Sequence, residues 1–186
     1  MEHIQNRAEY AVPGPRDKLS GRLDDLNNHI LAAPSVSEAL ETWCQVNGIG
    51  LGATLRADVL ERRAADATKS NDQARQGGEL SYRRVRLVRG DAVLACAEIW
   101  FAAELLPDEM LVALESTDCP FGLVIAPLQP KRRNLSVIAH DGLEAVGNDT
   151  SGLRPLLEHR ACVLTGEGVE LAVTREVFLE PLINTG

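Results

Sequence analysis

The side chains best suited to do chemistry are an arginine and a glutamate, each set in the apolar face of a strand-like segment. Arg83 lies within residues 80–90, which contain β-branched residues and end at a glycine turn, so they predict a strand. Because alternate side chains of a strand share a face, Arg83 points the same way as Val85 and Leu87. A lone guanidinium among core positions needs an anionic partner, since an unpaired buried charge is costly.

Glu176 lies within residues 169–181, which predict a second strand by the same criteria. It shares a face with Thr174 and Phe178. Each strand therefore offers one ionisable residue in an apolar setting, which is the raw material of a small site for a carboxylate-bearing ligand. The pattern alone equally allows a buried Arg83–Glu176 pair that joins the two strands.

Three short motifs that include these residues resemble the chorismate pyruvate-lyase family. They are Tyr82-Arg83-Arg84-Val85 with the run to Gly90, Cys119-Pro120-Phe121-Gly122, and Thr174-Arg175-Glu176-Val177-Phe178-Leu179. The resemblance covers roughly residues 20–186 and implies a chorismate lyase-like fold.

The resemblance also implies roles for individual residues. Arg83 would grip the ring carboxylate of the substrate, a task that suits the planar fork of a guanidinium. Glu176 would meet the opposite end of the ring and act as proton acceptor or donor. The backbone amides of Val36 and Phe121 would help to hold the carboxylate. The implied reaction is elimination of pyruvate from chorismate to give 4-hydroxybenzoate, with no metal or organic cofactor.

The sequence departs from the family pattern at two places. Cys96-Ala97 stands where the family has a Gly-Arg pair, and Glu158-His159-Arg160 stands where it has Gly-Arg-Arg. The missing arginines leave no clear partner for the second carboxylate of chorismate. Two alternatives therefore stay open: an enzyme of specialised metabolism that acts on another small carboxylic acid, and a small-ligand-binding module of the UTRA type, which shares this fold. UTRA regulators carry a winged-helix domain in front, and we expect the residues before Ser35 to be too few for one.

The periodicity of the chain predicts helices first and strands afterwards. Apolar residues at helical spacing over 19–30 predict a first helix, and Ser35-Val36-Ser37-Glu38 is a capping box that opens a second helix, which Asn47-Gly48 ends. A short helix is predicted over 107–114, and strands are predicted over 48–60, 80–90, 92–102, 134–140, 160–165 and 169–179. This order predicts an α+β fold: a mostly antiparallel sheet of about six strands with the N-terminal helices packed on one face.

The remaining segments are polar and predict irregular structure. Residues 61–79 predict a flexible connection, a frayed helix or a lid over the site. Lys131-Arg132-Arg133 predicts a solvated basic turn. Residues 1–16 predict a loose tail, which leaves residues 17–186 as a single domain.

Composition narrows the class of protein. With 186 residues, 45% of them hydrophobic and 25% charged, the chain is typical of a soluble globular domain. The net charge of −8 argues against a nucleic-acid partner, which usually requires a basic surface. Since the sequence shows neither a signal peptide nor an apolar run of ~20 residues, we expect a cytoplasmic protein with no membrane partner.

Cysteine and histidine spacing points to neither disulfides nor a metal. The four cysteines are far apart, and the four histidines show no ligand spacing, so we expect free thiols and no metal site. The expected partner is a small carboxylate ligand, chorismate or an aromatic acid, and the expected assembly is a monomer or a weak homo-oligomer.

Overall fold

The described part of the chain is built on one six-stranded sheet. The computed structural model describes residues 15–66, 79–140 and 152–184. In chain order the elements are α1 (Pro15–Ala32), α2 (Val36–Asn47), β1 (Leu55–Asp66), β2 (Glu79–Arg89), β3 (Ala92–Phe101), α3 (Asp108–Ser116), α4 (Phe121–Val124), β4 (Lys131–Ala139), β5 (Pro155–Leu164) and β6 (Glu170–Leu179).

The sheet confirms the predicted α+β class. Its strands run in the order β1-β2-β3-β6-β5-β4, and each described neighbouring pair is antiparallel. Leu26 and Ile30 of α1 and Leu40 of α2 are fully buried in one core cluster with Val85 and Phe178 of the sheet. The N-terminal helices therefore cover one face of the sheet, as the sequence predicts.

Local sequence signals explain the ends of α2. The Ser35 hydroxyl accepts a hydrogen bond from the Glu38 amide at 3.2 Å, which satisfies one of the free donors of the first turn. Gly48 ends the helix in the left-handed conformation, with φ of 69°, which costs a glycine little. These two caps fix where α2 begins, and its first turn forms part of the site described below.

Two predictions of irregular structure are wrong. Residues 61–66 belong to β1, where Glu61, Arg62 and Arg63 lie opposite residues of β2. Lys131-Arg132-Arg133 opens β4 and is not a turn. Both segments lie on the edge strands of the sheet, where half of the positions face solvent, so a polar composition hides the strand. Residues 67–78, the rest of the predicted lid, lie outside the described residues, as do residues 1–14 of the predicted tail.

The sheet order also decides how the two ionisable residues relate. Arg83 on β2 and Glu176 on β6 are separated by β3, in which Ile99 lies opposite Arg83 and Ala97 opposite Glu176. Both face the helices, because the cross-strand partners of one face stay on that face. Among the described residues, no helix is long and apolar enough to cross a membrane.

Candidate ligand-binding site

A small pocket of about 40 Å³ lies between the helical face of the sheet and the first turns of α2 and α4. Its walls are largely apolar, with Val85, Ala97 and Ile99 contributed by β2 and β3. The polar groups that line it are the side chains of Ser35, Ser37, Arg132, Thr174 and Glu176. Apolar walls with a few convergent polar groups are usual for a small-molecule site, but such sites commonly enclose ~300–1,000 Å³, so a ligand has to widen this pocket.

Close packing of α2 against α4 forms one end of this pocket. A Cβ atom placed on Gly122 would lie 2.9 Å from the Ser37 hydroxyl and 3.0 Å from the Ser35 side chain, so a larger residue would force these serine side chains to shift. Val36 and Phe121 are the first residues of the two helices, and both line the pocket. The first amides of a helix have no partner within it, so these two positions suit an anionic or hydrogen-bonding ligand.

Glu176 lies in the pocket and pairs with Arg132 of β4, the edge strand farthest from β1. Arg132 donates from Nη2 to Oε2 at 2.9 Å and from Nη1 to Oε1 at 3.2 Å. The exposed fractions of the two side chains are 4% for Arg132 and 6% for Glu176. Because both carboxylate oxygens are engaged and the charge is neutralised, this carboxylate is poorly placed to accept a proton from a ligand.

His159 lies beside this pair, opposite Glu176 on the neighbouring strand β5. Its Nε2 shares a hydrogen bond of 2.9 Å with the Asn27 amide oxygen, and its ring meets Phe178 edge-on. Burial, with a smaller contribution from the Arg132 charge, lowers the pKa of His159 to about 4. The imidazole is therefore neutral at pH 7.

Arg83 is almost completely buried, with an exposed fraction of 2%. Its Nη1 donates to the Cys119 carbonyl at 3.3 Å, and within the described residues its Nε and Nη2 have no hydrogen-bond partner. Burial, with a contribution from the Arg62 charge, lowers the pKa of Arg83 to about 10. The guanidinium therefore stays charged at neutral pH, with no carboxylate paired to it in the part of the chain that the structure describes.

Arg83 faces a second, larger cleft. This cleft, of about 290 Å³, lies where β1 and β2 meet the end of α3, and it is lined by Arg62, Arg63, Ala64, Ser81, Tyr82, Arg83, Phe101, Leu114 and Glu115. The segment that links α3 to α4 contacts both strands: the Cys119 carbonyl accepts a hydrogen bond from Arg83, and the Asp118 carbonyl accepts one from the Ala57 amide of β1. Arg83 therefore sits beneath that segment, between the cleft and the pocket.

The structure brings together some of the residues predicted for the site. Glu176, Val36 and Phe121 line one pocket, whereas Arg83 shares their face of the sheet but is absent from the described pocket wall. The alternative prediction of a direct Arg83–Glu176 pair is wrong, because Glu176 is paired with Arg132. The roles predicted for these residues in ligand binding remain predictions.

Arg132 is the site residue that the sequence interpretation missed. In a strand the middle residue of three consecutive basic residues points opposite to the other two, and here it points inward while Lys131 and Arg133 are exposed. The missing family arginines were a signal, because a buried Glu176 needs a cation from elsewhere. Ala97 stands at one of those positions and lines the pocket with its small side chain.

Comparison by sequence finds a relative that aligns with nearly the whole chain. No family model matches the chain. Uncharacterized protein y4mC of Sinorhizobium fredii is 25% identical over 200 aligned residues, and the match covers 98% of this chain and 84% of that protein.

Comparison by structure finds the same fold in bacterial regulators. PhnF from Mycobacterium smegmatis matches with a TM-score of 0.52 at 11% identity, over 81% of this chain and 65% of PhnF. The effector domain of PhnF gives a TM-score of 0.50 at 13% identity, over 78% of this chain and 88% of the domain. The ligand-binding domain of a GntR-family transcriptional regulator from Bordetella bronchiseptica gives a TM-score of 0.45 at 17% identity, over 67% and 82%. The two PhnF matches show that the chain shares its α+β fold with UTRA-type domains, a fold of the chorismate lyase-like kind.

Proposed function

We propose that this chain is a small-molecule binding domain whose ligand presents an anionic group, such as a carboxylate, to Arg83. The ligand body would occupy the apolar pocket beneath α2 and α4, and the amides of Val36 and Phe121 would hold its polar atoms. The fold shared with regulator effector domains supports a binding role, and it supports the ligand-binding module more than the lyase.

The observation that carries the proposal is that two buried nitrogens of the Arg83 guanidinium lack a hydrogen-bond partner among the described residues. The two nitrogens without a partner in the described residues, Nε and Nη2, lie on the same side of the guanidinium. Their hydrogens form the fork that receives both oxygens of one carboxylate. A buried cation with an empty fork is costly to keep in a ligand-free fold, and an anionic ligand removes that cost.

A calorimetric titration with two matched probes tests the proposal. 4-Hydroxybenzoate and 4-hydroxybenzamide have the same ring and nearly the same shape, but only the first is an anion at pH 7.5. We expect the wild-type protein to bind the acid at least ~30-fold more tightly than the amide, since losing a buried charge pair costs 2–5 kcal/mol. Equal binding of the two probes would contradict the proposal.

Three variants complete this experiment. Arg83→Lys keeps the charge but loses the fork, and Arg83→Gln loses both, so binding of the acid should fall in that order. Arg56→Gln removes an exposed arginine of β1 that pairs with Asp58 and is absent from both site linings, so it should bind like wild type. Melting temperatures of all variants show whether a loss of binding reflects a loss of folding.

A second candidate is the lyase reaction, because Glu176, Val36 and Phe121 line one pocket as the family resemblance requires. Two features weigh against it: Arg132 occupies both oxygens of Glu176, and Ala97 stands where a second arginine is expected. Incubation with chorismate followed by an assay for pyruvate separates the two functions. A binding domain should release no pyruvate above background, whereas a lyase should release it and should lose at least ~100-fold in rate on Glu176→Gln.

A further inference from the structure

We propose that the anionic group bound by Arg83 carries two negative charges, as a phosphate monoester does, and that Arg62 is its second cationic ligand. The inference rests on the proposed function and names the class of ligand. It places the charged end of the ligand in the cleft between β1, β2 and α3.

The register of the sheet sets the two arginines side by side. Arg62 on β1 and Arg83 on β2 are direct cross-strand partners. Side chains of such partners lie on the same face with Cβ atoms about 4.5–5.5 Å apart, and like charges in this arrangement repel each other. Both side chains line the same cleft.

Neither arginine has an ion-pair partner among the described residues. The ion pairs of β1 and β2 in this region join Glu61 to Arg63 and Arg84, and they leave Arg62 and Arg83 out. Among the described residues, three guanidinium groups and the carboxylate of Glu115 line the cleft. Arg63 also stacks over the Tyr82 ring, so Arg62 and Arg83 are the two cleft arginines with no anionic partner among the described residues. Two opposed cations with one nearly completely buried create a site for an anion.

The geometry favours a tetrahedral dianion over a carboxylate. A carboxylate that fills the Nε–Nη2 fork of Arg83 brings one negative charge, and its remaining lone pairs lie in the plane of that fork. A phosphate group fills the fork and keeps further oxygens for the neighbouring strand. Ser81 lines the same cleft with a hydroxyl that can donate to such an oxygen.

A titration with phenyl phosphate and benzoate at pH 7.5 tests the inference. The two probes share a ring, but phenyl phosphate is largely a dianion at this pH because its second pKa is near 6. We expect wild type to bind phenyl phosphate at least ~10-fold more tightly than benzoate, since a hydrogen-bonded charge adds this much affinity. Arg62→Gln should reduce that preference to less than ~3-fold, and Arg56→Gln, which removes the same charge elsewhere on β1, should preserve it.

Each other outcome has a definite meaning. If benzoate binding depends on Arg83 but the preference for phenyl phosphate is absent or survives Arg62→Gln, the inference is wrong and the proposed function stands. If wild type binds neither probe nor 4-hydroxybenzoate, both are wrong. A melting temperature within a few degrees of wild type shows that Arg62→Gln is folded, as expected for an exposed side chain.

Discussion

The side chains of Arg132 and Arg83 are both buried, but among the described residues only Arg132 is paired with a carboxylate. Arg132 is matched by Glu176 through two hydrogen bonds, so its charge is compensated within the fold. Arg83 is equally buried, but within the described residues a carbonyl is its hydrogen-bond partner. A structural arginine should resemble the first case, and a ligand-binding arginine should resemble the second.

This contrast predicts opposite effects of the same substitution. Arg132→Met leaves the Glu176 carboxylate buried without a cation, so the free energy of unfolding should fall by about 3–5 kcal/mol. Arg83→Met removes an uncompensated cation and keeps the side-chain volume, so stability should stay within ~1 kcal/mol of wild type or rise. Urea denaturation in a buffer free of carboxylate and phosphate measures both. Equal destabilisation by the two variants would show that the protein itself supplies a counterion for Arg83.

The sequence carried enough information to predict the burial of Arg83 but not its lack of a partner. Alternation along β2 places Arg83 with Val85 and Leu87, which are also buried. Whether it meets Glu176 depends on β3 lying between the two strands, and no local pattern encodes strand order. Arg132 was missed because it meets its partner across the fold, 44 residues away in sequence.

At the scale of elements, the site depends on how the helices are held against the sheet. The bond between His159 on β5 and Asn27 on α1 is one such connection, and it lies directly beside the Arg132–Glu176 pair. Similarly, the Trp43 indole of α2 donates to the Leu182 carbonyl after β6 at 2.9 Å. Such side-chain bonds fix the helices over the pocket wall.

The His159 connection predicts a specific dependence of stability on pH. The imidazole pKa is about 4 when folded and 6.5 when unfolded, so between these values the unfolded chain binds more protons. Stability should therefore fall as pH drops below 6.5, by roughly 2 kcal/mol at pH 5, at 1.4 kcal/mol for each pKa unit. The pKa of Glu158 is also lowered, but its contribution is lost only below its ordinary value of 4.5, so it does not enter this window.

Urea denaturation of wild type and His159→Gln at pH 7 and pH 5 measures this effect. The glutamine is neutral at both values, so the variant should lose ~2 kcal/mol less than wild type over this range. Equal losses in the two proteins would show that other groups carry the pH dependence.

Helices and central strands could be predicted from the sequence because their apolar periodicity and caps are local signals. The capping serine of α2 and the turn at Gly90 are examples, and both are found where predicted. The edge strands were the failures, since the polar residues 61–66 and 131–133 gain their strand conformation from pairing with β2 and β5. Their conformation depends on the partner strand and not on composition.

At the scale of the whole molecule, a pocket and a cleft lie on the helical side of the sheet in the described part of the chain. The pocket lies over the middle of the sheet, and the cleft lies at the β1 edge, with Arg83 between them. A ligand with an apolar body and an anionic end fits this arrangement, because each part finds a matching environment.

A crystal structure of the protein with 4-hydroxybenzoate tests the central claim most directly. We expect the carboxylate oxygens to lie about 2.7–3.1 Å from Nε and Nη2 of Arg83, with the ring against the apolar wall formed by Val85 and Ile99. The Arg132–Glu176 pair should stay intact in that complex. A structure in which a protein carboxylate fills the Arg83 fork, or in which the acid binds away from Arg83, would contradict the account.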